Sequence, residues 1–158
     1  MTETDSTLEI VRVLDAPRLA VWRCWTEPEL IVQWFTPKPW QTVDAEIDLR
    51  PGGASLITMR SPEGEVFPNR GVYLDVVAGE RLVFTDAFAS AWQPSGKAFM
   101  VGEIALADAP DGKTHYIAKA HHWNAEDRKS HEDIGFHAGW NAAADQLEKL
   151  AQTLGETA

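Results

Sequence analysis

Few residues in this chain of 158 have the types and spacing that chemistry needs. The histidines are His115, His121, His122, His131 and His137, and none belongs to an H-x-H or HExxH arrangement. On one helix, His131 and His137 would face different ways, so no metal site is expected. Asp133 and His137 are an i, i+4 pair. A carboxylate at that spacing can hold one imidazole tautomer and raise its basicity, which suits a general base or a polar ligand anchor. The plainer reading is a structural hydrogen bond that closes a helix onto a sheet. His121 and His122 are neighbours on a strand, so one faces the interior and the other solvent, and the sequence leaves open which. Cys24, between Arg23 and Trp25, reads as a buried and inert thiol. There is no G-x-S-x-G and no phosphate-binding loop, and no cofactor is expected.

Aromatic residues form the other informative set. Trp34, Tyr73, Phe88, Trp92, Phe99, Trp123, Phe136 and Trp140 fall at strand ends, in the segment 88–97 and on the closing helix. Together with His122 and His137, they could line a pocket for an apolar ligand, or they could be ordinary core. Trp92 stands beside Gln93-Pro94-Ser95-Gly96, a poor place for a core residue, and suggests a lid or a subunit interface. Arg60 and Arg70 read as solvent-facing strand residues.

These residues need elements to position them. Leu8–Leu14 reads as a strand, Pro17–Trp25 and Pro28–Phe35 as short helices, the second stopped by Pro37 and Pro39. From Gln41 the period changes to two, giving strands at Gln41–Leu49, Ala54–Arg60, Val66–Val77, Arg81–Ala87, Ala98–Ala107 and Thr114–Trp123. A helix is expected from Asn124 or Ala125 to Leu154. With Trp140 at the origin and 100° per residue, Phe136, Ala143, Ala144, Leu147, Ala151 and Leu154 form one apolar stripe. Asp133 and His137 fall about 20° and 60° from its centre, and His131 falls on the opposite arc. A stripe this long needs a broad apolar surface, which the sheet supplies. Trp140→Ala is then expected to cost about 3–5 kcal/mol.

Bulk charge removes several function classes. With 24 acidic and 14 basic side chains the formal net charge is −10, which disfavours nucleic acid and anionic membrane surfaces. No stretch is apolar enough for a spanning helix, the first residues carry no secretory pattern, and one cysteine suits a reducing compartment, so a cytoplasmic protein is expected. Without repeats or linkers, residues 1–158 read as one α+β domain with an ordered core of about 8–154.

Particular stretches narrow the fold. Asp15-Ala16-Pro17 with Val21-Trp22 and Trp25-Thr26, then Trp34-Phe35-Thr36-Pro37, Asp48-Leu49-Arg50-Pro51-Gly52-Gly53, Phe67-Pro68-Asn69, Gly71-Val72-Tyr73-Leu74 and Gly135-Phe136-His137-Ala138-Gly139-Trp140 occur in an order that resembles the START and birch-pollen-allergen superfamily, SRPBCC. Within it, the chain is similar to the branch named after activators of the heat-shock-protein-90 ATPase. The resemblance implies a helix grip: a curved antiparallel sheet around a long C-terminal helix, with two short helices after the first strand. It also implies a cavity between sheet and helix. The expected function is non-covalent binding of a small apolar or amphipathic molecule there. The alternatives are a cyclase-, dehydratase- or hydrolase-like enzyme using Asp133 and His137, and a co-chaperone that binds protein through its surface. A homodimer stays open as a partner, and fold alone does not choose among these functions.

Overall fold

The computed structural model describes residues 6–90, 93–96 and 98–154, which leaves Trp92 outside the described residues. Strand β1 (Thr7–Leu14) leads into helices α1 (Arg18–Thr26) and α2 (Pro28–Ile31). Strands β2 (Gln41–Ile47), β3 (Ala54–Arg60), β4 (Val66–Val77) and β5 (Arg81–Thr85) follow. A short ribbon, β6 (Phe88–Ser90) and β7 (Gln93–Pro94), precedes β8 (Val101–Ala109) and β9 (Lys113–His121). The chain ends in α3 (Ala125–Asp133) and α4 (Phe136–Leu154). The main sheet runs β1-β9-β8-β5-β4-β3-β2 with antiparallel neighbours throughout, so the first strand closes against the last. This is the expected helix grip.

Period-two patterning sets which face the helices cover. In β9, Thr114, Tyr116, Ala118 and Ala120 are buried, and their neighbours are more open. Helix α4 turns Ala143, Ala144, Leu147 and Ala151 toward that face, and all four are buried in one cluster with Leu8, Ile10, Ile104 and Tyr116. Alanines on both surfaces let helix and sheet approach closely. The short helices add Trp25 and Trp34, packed edge to face with ring centroids 4.9 Å apart. Their polar handles are satisfied: Trp25 Nε1 donates to the Tyr116 hydroxyl and Trp34 Nε1 to the Cys24 carbonyl.

Two expected helices differ from the observed ones. The second short helix stops at Ile31, because the Gln33 and Trp34 amides tighten onto carbonyls three residues back. The larger difference is at the C-terminus, where the expected single helix from Asn124 is two helices. Asn124 does cap the first of them, its side chain accepting from the Asp127 amide. That helix ends at Asp133 with Ile134 as its cap, and Gly135 follows with φ of 103°, a conformation that favours glycine. The Gly135 amide bonds back to the Glu132 carbonyl, and a new helix begins at Phe136.

Gly102 is required by a neighbour. It pairs with Phe84 across β5 and β8, and a Cβ there would lie 2.4 Å from the Phe84 ring. The ring uses the space above the glycine to reach Trp25 at 5.8 Å. Gly102→Ala should displace it and cost about 1–3 kcal/mol. Urea unfolding checks this, and a midpoint equal to that of the parent would mean the ring has room to spare.

Candidate functional site

The break at Gly135 changes which polar residues meet. A continuous helix would bring Asp133 and His137 to the edge of the apolar stripe. With the phase reset between α3 and α4, both are exposed, and Asp133 pairs instead with Lys129 at 2.9 Å on the surface. The expected Asp133–His137 acid–base pair is therefore corrected: the chain turns out of helical phase between the two residues. His131, expected on the solvent arc, is turned inward and is 8% exposed.

His131 meets His122. Strand parity sends His122 inward, while His121 faces the other way between the Thr7 hydroxyl and Glu103. His122 Nε2 lies 2.9 Å from His131 Nδ1, and His122 Nδ1 lies 2.9 Å from the Ser6 carbonyl. A carbonyl only accepts, so His122 Nδ1 carries a proton. Its Nε2 is then the acceptor when the ring is neutral, and His131 Nδ1 donates to it. Among the described residues, no hydrogen bond is made to His131 Nε2. Burial, and then the neighbouring His122, push the His131 pKa down to about 4.

Aromatic rings surround the pair. Phe99 lies 5.5 Å from His122 and 4.9 Å from His131, and Phe136 lies 5.1 Å from His131. Trp140 is more distant, at 6.2 Å. Of the residues expected to form a site, Phe99, His122, Phe136 and Trp140 thus come together, around a histidine the sequence pattern had assigned to solvent. The Gly135 stop signal and the parity of β9 were the available clues. The pair fastens the start of β1: the His122 amide and ring both donate to Ser6, and Arg128 donates to the Thr7 carbonyl.

The remaining expected residues lie apart from this cluster. Trp34 and Tyr73 are buried in the main core, Phe88 is half-buried in β6, and Trp123 is exposed. The space between sheet and helices near Tyr73 is about 30 Å³, bounded by Trp25, Phe35, Phe84 and their neighbours. That is room for about one water, not an organic ligand. Cys24 is buried as expected, and burial pushes its thiol up to about 12.

A larger concavity lies at the outer edge of the fold. A cleft of about 540 Å³ opens between the end of α2, the segment 36–40, the start of β2 and α4. Val32, Pro39, Trp40 and Val43 give it apolar walls, and Lys38, Gln41 and Gln146 bring polar groups. Its shape is fixed by hydrogen bonds. The Gln146 amide donates to the Trp34 and Thr36 carbonyls, both at 2.8 Å, and its oxygen accepts from the Lys38 amide. One side chain of α4 therefore clamps the whole segment. Below it, Thr36 and Thr42 bond through buried hydroxyls at 3.0 Å. A bulge at Val43 breaks the edge pairing of β2 and leaves that side chain exposed. Trp40 is braced by Phe67, ring centroids 5.6 Å apart. Of the aromatic and histidine residues expected to line a pocket, none of the nine that are described borders this cleft.

Comparison with known proteins follows the same architecture. A family model described as Activator of Hsp90 ATPase homolog 1-like protein matches residues 15–152. A solved structure of a Nitrosomonas europaea protein is 41% identical, with 96% of this chain and 97% of that chain covered and a TM-score of 0.92. A Rhodobacter sphaeroides protein shares the fold at a TM-score of 0.82 with 18% identity, covering 98% of this chain and 97% of that one. An AHSA1-like protein of Aeromonas hydrophila does so at 0.65 with 19% identity, covering 92% and 93%. No protein of curated function matches the chain. The family model spans nearly all of the described helices and strands, and the chain belongs to the Activator of Hsp90 ATPase homolog 1-like family.

Proposed function

We propose that this protein binds a small amphipathic molecule non-covalently in the cleft between segment 36–40, β2 and α4. The observation that carries this reading is the cleft itself: about 540 Å³, walled by Trp40, Val32, Val43 and Pro39, with a few fixed polar groups. That volume and lining suit a metabolite-sized ligand. The alanines of α4, buried in one cluster with sheet residues, favour this cleft over a cavity between sheet and C-terminal helix. Enzymatic acid–base work has no such support, since Asp133 and His137 stand apart on the surface. A cytoplasmic setting belongs to the reading. The one cysteine is buried, and no helix among the described residues is long and apolar enough to cross a membrane.

The test is a two-dimensional NMR titration with aliphatic and aromatic amphiphiles. Shifts should centre on Val32, Trp40 and Val43. Trp40→Ala should weaken binding about tenfold while leaving the fold intact, because the ring is half outside the core. Shifts that centre on Trp25 and Phe84, or none at all, would remove the cleft from consideration. A protein-docking role is the second reading, favoured by the exposed Trp40–Phe67 pair beside the cleft and by the family's description. An Hsp90-type chaperone that broadens Trp40 and Phe67 resonances, where amphiphiles do not, would favour it.

A further inference from the structure

The cations of this chain are unevenly used. Among the described residues, some basic side chains find a carboxylate and others do not. Arg12, Arg18, Arg23, Arg50, Arg81 and Lys129 all find one. Lys38, Arg60, Arg70, Lys113, Lys119, Arg128 and Lys149 form no ion pair among the described residues, and of these Lys38 borders the cleft and Arg60 is hydrogen-bonded to a residue that borders it. The Lys38 amide is held by Gln146. Arg60 pairs across the strands with Gln41, and its guanidinium donates from Nε and Nη2 to the Gln41 side-chain oxygen. Gln41 itself borders the cleft, so this amide draws the guanidinium to the rim and leaves the Nη1 hydrogens uncommitted. Glu63 and Glu65 occupy the turn just beyond Arg60, but neither pairs with it among the described residues.

We propose that the cleft selects a carboxylate-bearing amphiphile, its head between Lys38 and the Arg60 guanidinium and its apolar body on Trp40 and Val43. This rests on the binding reading above and adds the ligand's charge. A flat two-oxygen head suits the forked donors of arginine beside a lysine point charge. The overall negative field disfavours a dianion more than a monoanion, which selects a carboxylate over a phosphate monoester.

The test titrates the intact protein with two matched series, octanoate, octanol, octylamine and octyl phosphate, then 3-phenylpropanoate with its alcohol and amine. Binding is read by NMR shifts at the cleft and by calorimetry at low ionic strength. In at least one series the carboxylate should bind about tenfold tighter than the alcohol, with the amine weakest. Lys38→Gln and Arg60→Gln should each lower carboxylate affinity several-fold, leave the alcohol unchanged, and reduce the salt dependence. An alcohol or amine that binds as well as the acid would overturn the charge assignment while leaving the binding reading intact. Tighter binding of octyl phosphate than of octanoate would overturn the choice of a monoanion. Absence of cleft shifts for every head group in both series would overturn the binding reading and this inference together.

Discussion

Phe136→Ala is expected to lower the unfolding free energy by about 3–5 kcal/mol, the range for emptying a fully buried aromatic site. The ring is 1% exposed, the largest of the fully buried side chains. It is the first residue of α4 and packs at 4.7 Å against Trp140 and 5.1 Å against His131, so it joins the long helix to the histidine pair. Neighbours on both C-terminal helices would have to move to fill the void. Trp140 gives the contrast. Sequence periodicity makes it the centre of the apolar stripe, yet it is only partly buried, and Trp140→Ala should cost less than Phe136→Ala. Urea unfolding of the two variants ranks them. A larger loss at Trp140 would mean that α4 docks on a face rotated toward that residue.

Much of the fold could be read from the residues. Alternation in Thr114–Ala120 identifies an inward face, and continuing it by two residues puts His122 inside and His121 outside. The stripe Ala143, Ala144, Leu147, Ala151 is visible as period 3.6, and all four are buried. What failed was phase. A helical wheel assumes one unbroken helix, and a single glycine in Asp133-Ile134-Gly135-Phe136 resets it. Carried across the glycine, the wheel puts His131 on the solvent arc and Asp133 at the edge of the stripe, where the structure buries His131 and exposes Asp133. A glycine after a polar helix and before an apolar one is a stop signal of known form, so this error was avoidable.

The cleft was hidden for a different reason. Its walls come from the end of a helix, a proline-bounded loop, a bulge and one glutamine more than a hundred residues away, and no periodicity links them. Gln146 lies on the polar side of the α4 wheel and reads as solvated. Only in three dimensions does its amide find the Trp34 and Thr36 carbonyls. Aromatic content misled as well. Of the tryptophans expected to line a pocket, Trp34 fills the interior, Trp140 is partly buried and Trp123 is exposed, while Trp40, outside that set, walls the cleft.

The buried histidine pair should make stability fall with acid earlier than carboxylate titration alone would. In the unfolded chain His131 takes up a proton below about pH 6.5; in the folded protein it resists protonation until about 4. A group whose folded pKa is depressed in this way leaves stability intact above about pH 7. It then removes about 1.4 kcal/mol per pH unit as pH falls from 6.5 toward 4, roughly 3 kcal/mol in all, and nothing further below that. The carboxylates act lower. Glu103 is held below the usual range by its bond from His121, and Glu27 by its bond from Arg23, so their contributions fade only as pH falls through and below about 4.5. Between pH 5 and 6.5 the loss therefore reports the imidazole. His131→Gln keeps an N–H that can serve His122 Nε2 but cannot titrate. Its unfolding free energy should be lower than that of the parent at pH 8, by about 1 kcal/mol for a less well placed donor, yet nearly flat from pH 6.5 to 5. Because the pair fastens Ser6 and the start of β1, the protection factors of the Leu8 and Ile10 amides, corrected for the intrinsic rate at each pH, should fall over the same interval in the parent and not in the variant. A variant with the parent's slope would mean that the proton is taken up elsewhere, and that the two rings are held together for packing alone.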